Sequence, residues 1–165
     1  MYQIGALKAF CQAAGVPLHH VKPHGALYNM AAKDPALAQA ICRAVQAAAP
    51  EAMLLALSGS EMLKAAQEMG LRVCSEVFAD RAYRADGTLV PRGLPGAMIE
   101  NEEDAIARVV QMAKQGTVCA ADGSTVTLQA DSVCVHGDGR KALCFVKKLS
   151  EALPAAGIEI KAHNA

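Results

Sequence analysis

The sequence predicts one α/β domain over residues 1–165, built around a parallel sheet or barrel. Three observations predict this class. Apolar runs of strand length alternate with amphipathic helical segments along almost the whole chain. One hairpin signal, Asp122-Gly123, interrupts that alternation. The sequence shows no internal repeat, low-complexity segment or linker that would divide the chain.

The opening segment, residues 2–14, predicts a helix that stops at Gly15-Val16-Pro17. No Ser, Thr, Asp or Asn precedes this helix to cap its first turn, and no strand comes before it. An uncapped start of this kind often means that a chain begins in the middle of a fold. One apolar stripe of this predicted helix consists of Ile4, Leu7, Phe10 and Cys11.

Capping and breaker residues delimit the next elements. Asp34 and Pro35 are typical of a helix N-terminus, and Ser58 with Glu61 has the spacing of a capping box. The continuous apolar run at residues 53–57 indicates a strand buried on both faces. The predicted elements are strand 18–22, helix 35–48, strand 53–57, a helix that follows Ser58 and ends at Gly70, and strand 71–76.

A long irregular segment follows to about Met98, and regular structure then resumes. Asn101 predicts the cap of a helix whose acidic first turn suits the helix dipole. The predicted elements are this helix, which runs to Gln115, hairpin strands 117–120 and 125–129, strand 132–135, helix 141–153 and strand 158–160.

Composition and cysteine usage indicate a cytoplasmic protein without nucleic-acid or membrane partners. Sixteen basic residues balance sixteen acidic ones, so no overall charge attracts an anionic surface. The longest apolar runs are too short to cross a membrane, and the opening helix does not have the pattern of a signal peptide. No cysteine pair has CxxC spacing, and the positions predict buried, reduced thiols: Cys11, Cys42, Cys74, Cys119, Cys134 and Cys144.

Loops after the carboxyl ends of strands build the active sites of parallel α/β folds, and polar clusters occur there in this sequence. After the first strand come Lys22, His24 and Tyr28, a cation, an imidazole and a phenol, with a solvated turn as the alternative interpretation. The preceding His19 and His20 are interpreted as structural. After the second strand, Ser58-Gly59-Ser60 can bind an anion through backbone N–H groups or merely cap a helix.

Two further clusters follow later strands. Glu76, Asp80 and Arg81 could bind a metal, act as acid and base or hold a charged substrate, with a surface salt bridge as the alternative. Another arginine, Arg92, lies farther along the same loop. His136 and Asp138 bracket a glycine, which suits metal ligation, general-base chemistry or close approach of a phosphate.

Taken in order, these stretches resemble the LamB/YcsF family. They are YQIGAL at residues 2–7, HVKPHGALYNMAAKD at 20–34, SGSE at 58–61, EVFADRAYRADGTLVPR at 76–92 and VHGDG at 135–139. The resemblance implies a (βα)-barrel-like fold similar to the glycoside hydrolase/deacetylase superfamily. It also implies a part in cleaving 5-oxo-L-proline to L-glutamate with ATP hydrolysis, alongside partner subunits B and C.

The chain departs from the family pattern at its start. Family members usually begin with an Asp-Leu-Asn strand, a His-Ala-Gly-Asp segment and a His-Pro segment, and none of these occurs here. The resemblance therefore implies a barrel that is incomplete at the N-terminus, lacking roughly a third of the family pattern. A barrel without several strands exposes sheet edges, so self-association is an open alternative.

Residue chemistry joined to this resemblance predicts the roles of the candidate residues. ATP is expected as co-substrate, with Mg²⁺, although no Walker-type phosphate loop is present. Two alternatives stay open. The first is a metal-dependent amidohydrolase or deacetylase without ATP, in which His24 and His136 are the candidate metal ligands. The second is a non-catalytic fragment that binds partner subunits. The predicted acid–base or metal residues are His24, Glu76, Asp80, His136 and Asp138; the predicted substrate- or phosphate-binding residues are Lys22, Tyr28, Ser58, Arg81 and Arg92.

Overall fold

The computed structural model describes residues 1–137 and 142–163. The chain forms two compact units, Met1–Ser75 and the described residues from Glu76 onward. Both units combine helices with strands, which confirms the predicted α/β class. In the described residues, no helix combines the length and the apolar character needed to cross a membrane.

The first unit alternates helices with parallel strands. Strand β1 pairs with β2 in the register His20↔Met53 and Val21↔Leu54, and β3 lies next to β2 in the sheet order. The elements are α1 (Tyr2–Ala13), β1 (His20–Val21), α2 (Gly25–Ala31), α3 (Pro35–Ala48), β2 (Met53–Leu57), α4 (Glu61–Glu68) and the start of β3 (Val73–Phe78).

Local capping explains where α3 and α4 begin. The Asp34 side chain accepts hydrogen bonds from the N–H groups of Ala36 and Leu37, which are among the donors that a helix start leaves unpaired. The side chain of Ser60 accepts from Leu63 N at the start of α4. The predicted cap at Ser58 is therefore wrong by two residues, because α4 begins at Glu61 rather than before it.

The opening helix has the predicted bounds to within one residue, and its residues are poorly covered. None of the twelve residues of α1, all of which the structure describes, is buried. Leu7 and Phe10 are 54% and 74% exposed, so the apolar stripe of α1 is largely uncovered within this unit. The side chain of Lys8 attaches α1 to the following structure, donating to Ala48 O at 3.1 Å and pairing with Glu51 at 2.8 Å.

In the second unit, the end of β3 pairs with β6 in parallel, with Glu76↔Ser132 and Phe78↔Cys134 in register. The strand prediction at 71–76 is therefore displaced toward the N-terminus, and Glu76 lies inside the strand rather than after it. The other elements are α5 (Glu102–Gln115), β4 (Thr117–Cys119), β5 (Thr125–Thr127), β6 (Ser132–Cys134) and α6 (Ala142–Ala155).

Helix α5 has the bounds that its cap residues predict. Asn101 accepts from the N–H groups of Glu103 and Asp104, and Gly116 ends the helix with a φ of +63°. A Cβ atom at Gly116 would lie 3.1 Å from Leu128 O, so both the backbone conformation and the close approach favour glycine there. The hairpin that follows, β4 with β5, is antiparallel as predicted.

The segment between β3 and α5 is irregular, as predicted, but it is tied down by backbone hydrogen bonds. Ala82 N donates to Ala97 O at 3.0 Å, and Val90 N donates to Ala82 O at 2.9 Å. Ala82, Val90 and Ala97 are buried together, and Ile99 packs against them. This small core holds the loop in one conformation without regular secondary structure.

Two other predictions differ from the structure. Helix α2 occupies the stretch after β1 that was interpreted as a turn, and residues 158–160 do not form a strand. Instead, Ile158 N donates to Leu153 O beyond the end of α6. All six cysteines are free, but only Cys42 and Cys74 are buried, whereas Cys119 and Cys144 are exposed.

Candidate active site at the end of strand β3

A histidine–aspartate pair lies where β3 and β6 end. The Nδ1 atom of His136 is 2.7 Å from Oδ2 and 2.9 Å from Oδ1 of Asp80. The side chains of His136 and Asp80 are 24% and 19% exposed, so solvent reaches the pair only partly. The pair is therefore partly shielded from water and is still accessible to a substrate.

The parallel pairing of β3 with β6 brings these two residues together. Phe78 is opposite Cys134 in the ladder, and Ala79 N donates to Cys134 O at 3.2 Å. Asp80 and His136 therefore leave their strands side by side although 56 positions separate them. The Phe78 ring also stacks on the imidazole, with ring centres 5.8 Å apart and planes inclined by 27°.

This arrangement defines what the imidazole can do. When Asp80 is ionised, its carboxylate accepts a hydrogen bond from Nδ1–H, which leaves the lone pair on Nε2. An imidazole oriented in this way can remove a proton from water or a substrate and return it later. The pair thus has the geometry of a general base with an orienting carboxylate.

Arg81 follows Asp80, and its side chain is almost completely buried, at 4% exposure. Its Nη2 donates to Val90 O across the loop, whereas Nε has no hydrogen-bond partner among the described residues. Burial lowers the pKa of the guanidinium, the charge of Arg92 lowers it further, and Asp80 opposes both. In the described part of the chain, no carboxylate lies within salt-bridge distance of Arg81. The guanidinium is thus a buried cation without an anion paired to it there.

Two more side chains of this unit are buried near the strand end. Glu76, at 3% exposure, lies within β3 opposite Ser132. Tyr83, at 1% exposure, accepts a hydrogen bond from Phe78 N at 2.9 Å through its hydroxyl. Burial is the largest cause that raises the pKa of Tyr83 to about 12. Sequence reasoning did not select Tyr83, although its place in the EVFADRAY stretch was a usable signal.

The candidate residues of the first unit are less tightly held. Lys22 Nζ lies 5.5 Å from the centre of the buried Tyr28 ring, which is a cation–π distance. His24 is exposed and occupies the N-cap position of α2, but it makes no side-chain capping bond in the described structure. Lys22 and His24 border an open cavity of about 720 Å³ that is also lined by residues of α1, β1, α2 and α3.

Ser58 is buried, at 7% exposure, directly after β2. The neighbouring Ser60 takes the capping role that sequence analysis gave to Ser58, so capping no longer explains Ser58. Arg92 is exposed in the loop of the second unit. Asp138 lies outside the described residues.

The metal-ligand predictions are not tested by this geometry. Across residues 1–137 and 142–163, no three side chains from His, Cys, Asp and Glu are grouped so as to hold an ion. His24 belongs to the first unit, and Nδ1 of His136 contacts Asp80 in the second. Their assignment as metal ligands stays a prediction.

Comparison with known proteins gives consistent matches over almost the whole chain. The A subunit of 5-oxoprolinase from Clostridium beijerinckii is 57% identical over 159 residues, which cover 96% of this chain and 62% of that protein. The proteins of the same name from Tolumonas auensis and Bacillus subtilis are 54% and 51% identical, each over 98% of this chain. These two matches cover 64% and 63% of the relatives, so the chain spans less than two thirds of their length.

A solved structure agrees with these sequence matches. The lactam utilization protein from Thermus thermophilus superposes with a TM-score of 0.87 at 45% identity, over 98% of this chain and 64% of that one. The sequence profile of the LamB/YcsF family matches residues 1–165, which include each of the stretches that suggested the resemblance. This chain belongs to the LamB/YcsF family.

Proposed function

We propose that this chain acts as the A subunit of 5-oxoprolinase, in the opening of 5-oxo-L-proline to L-glutamate coupled to ATP hydrolysis. The match to relatives of that name, over 95–98% of the chain for seven of them, carries the proposal. The Asp80–His136 pair supports it, because opening an amide by water needs a base.

The substrate explains why ATP would take part. A five-membered lactam is a stable amide that water attacks slowly. Transfer of the γ-phosphoryl group of ATP to the lactam oxygen would make the ring carbon more electrophilic and release ADP. Water would then add to that carbon, and the carbon–nitrogen bond would open to give an amine and an acyl phosphate. A second water would hydrolyse the acyl phosphate to the carboxylate of glutamate and phosphate.

Within the second unit, the proposed proton transfer uses Nε2 of His136, with Asp80 holding Nδ1. Arg81 is proposed to attract the anionic groups of the substrates, since its buried guanidinium has no carboxylate paired to it in the described structure. Arg92 would add positive charge, because it is close enough to lower the pKa of Arg81. Mg²⁺ would neutralise the phosphate oxygens of ATP.

The other predicted residues keep their roles as proposals. Lys22, Tyr28 and Ser58 are assigned to binding of substrate or phosphate, and His24 and Glu76 to acid–base or metal chemistry. Asp138, beyond the described residues, is assigned together with Glu76. The buried position of Ser58 directly after a strand favours a role other than helix capping.

The assembly and the complete fold are part of the same proposal. The names of the relatives describe each of them as one subunit, which implies a complex of several, and we propose subunits B and C as the partners. The parallel strand pairs and the alternation of strands with helices support a barrel-like fold. The cytoplasm is the proposed location.

The decisive measurement is glutamate release from 5-oxo-L-proline and ATP. The chain and a version extended at its N-terminus to the length of the relatives would each be mixed with the partner subunits. ATP-dependent release supports the proposal, and its loss in His136→Ala but not in His163→Ala assigns the base. Release without ATP would instead indicate the metal-dependent amidohydrolase alternative, and no release from either version would contradict the proposed substrate.

A further inference from the structure

Tyr83 connects three segments of the second unit. Its backbone carbonyl accepts a hydrogen bond at 2.8 Å from Ala121 N, in the turn of the β4–β5 hairpin. Its backbone forms an antiparallel bridge with Leu89 across the loop. Its side-chain hydroxyl accepts from Phe78 N at the end of β3, at 2.9 Å. The phenol is 1% exposed, so these contacts hold it in a fixed place.

The hydrogen bond from Phe78 has a specific structural purpose. Successive N–H groups of a strand point to opposite sides, and Ala79 N already donates to Cys134 O on β6. The N–H of Phe78 therefore points away from β6, and the residue is 4% exposed, so water has little access to it. The Tyr83 hydroxyl supplies the acceptor that this buried donor needs.

The ring of Phe78 continues this connection to the histidine. It stacks on the imidazole of His136, whose Nδ1 contacts Asp80 two residues beyond Phe78. A shift of the Phe78 backbone would move the stacked ring and the start of the Asp80 loop together. The Tyr83 hydroxyl and the imidazole of His136 are thus linked through the backbone and the ring of Phe78.

We propose that Tyr83 is a positioning residue for the Asp80–His136 pair, acting through the Phe78 backbone and ring. Its catalytic consequence rests on the proposed function, because it requires His136 to be the base. Its structural consequence, a fixed orientation of the imidazole, does not require any activity. The two consequences can be tested separately.

The structural consequence can be tested by NMR of the ¹⁵N-histidine-labelled chain, which has a mass of 17.2 kDa. Tyr83→Phe removes the acceptor and keeps the ring, so we expect the Nδ1–H signal of His136 to shift or broaden. Tyr2→Phe is the matched control, because Tyr2 is 90% exposed, and it should leave that signal unchanged. An unchanged His136 signal in folded Tyr83→Phe would overturn the proposal.

A second variant keeps the test decisive if Tyr83→Phe does not fold. Phe78→Leu retains the backbone N–H and its hydrogen bond to Tyr83 but removes the stacked ring. We expect the same change in the His136 signal, with circular dichroism confirming the fold. A wild-type signal in Phe78→Leu would show that Phe78 does not transmit the position, which also overturns the proposal.

The catalytic consequence is tested in the active complex. Tyr83→Phe should lower kcat by about tenfold to a hundredfold with little change in KM, because misplacing a base affects the chemical step. In a His136→Ala background the same change should cause no further loss. An equal loss in both backgrounds would show a purely structural role. If no complex forms glutamate, the proposed function fails while the NMR result still decides the role of Tyr83.

Discussion

Two strand ends of this chain carry similar residue types but differ in how those residues are held. The β1 cluster, defined as Lys22, His24 and Tyr28, leaves its histidine exposed and without a side-chain cap bond in the described structure. The β3 cluster, defined as Phe78, Asp80 and Tyr83 with His136 from β6, places its histidine against a carboxylate and a ring. The contacts that hold the β3 cluster come from residues of the chain itself.

The difference shows that residue type alone does not make a catalytic group. A histidine becomes an oriented base when a second group holds one nitrogen, since the other nitrogen then has a defined tautomer and direction. For His136 that second group, Asp80, comes from another strand. For His24 the described structure supplies none, so a ligand would have to fix its orientation.

The largest expected effect is the difference in enzymatic activity between variants of His136 and His24. His136→Ala should lower glutamate formation by about 10²- to 10⁴-fold, the usual contribution of a general base. Asp80→Asn should also lower glutamate formation, because it favours the wrong tautomer of the imidazole. Steady-state kinetics of the complex measures both changes. An equal loss in His24→Ala would break the comparison, because it would make the less organised cluster equally necessary.

The next effect concerns the buried phenol of the β3 cluster at alkaline pH. The pKa of Tyr83 is raised to about 12 from an ordinary value of 10.0, so the unfolded chain releases this proton first. The neutral phenol therefore contributes to the free energy of unfolding. This contribution is fully present below pH 10, and about 2–3 kcal/mol is lost as the pH rises toward 12. Urea unfolding between these pH values should show a smaller decrease for Tyr83→Phe than for the wild type. Identical decreases would mean that the phenol is not held neutral.

A third prediction compares helix starts within the first unit. Asp34→Ala removes the acceptor for two N–H groups of α3 and should lower the free energy of unfolding by about 1 kcal/mol. His24→Ala at the start of α2 should change it by less than about 0.5 kcal/mol, since no capping bond is lost. Chemical denaturation measures both. A loss at His24 as large as that at Asp34 would show that the β1 cluster is more tightly held than its contacts indicate.

The smallest effect tests the contact between Lys22 and Tyr28. Lys22→Met keeps much of the aliphatic side chain but removes the charge above the ring, so it should destabilise the fold by about 0.5 kcal/mol. Lys33→Met is the matched control on the exposed surface. Thermal unfolding of the two variants measures the difference. A negligible difference between them would show that the cation–π contact does not stabilise the fold.

The elements predicted correctly are those whose ends are fixed by residues that act over a few positions of the chain. The bounds of α3 and α5 were correct because Asp34 and Asn101 bind N–H groups two and three residues away. Helix α2 was missed because His24 makes no such bond and Gly25 begins the helix with a φ of +62°. For α1, periodicity indicated the apolar face but not what covers it, and none of the residues of α1 is buried.

The sequence by itself determined the α/β class, the positions of most helices and strands, the strand-end location of Asp80 and His136, and the family. These depend on periodicity, caps and short motifs that operate within a few residues. Only the tertiary structure decided that Asp80 contacts His136, that Arg81 is buried, and that Tyr83 holds Phe78. Those contacts depend on the pairing of β3 with β6 and on the path of the loop, neither of which a local pattern encodes.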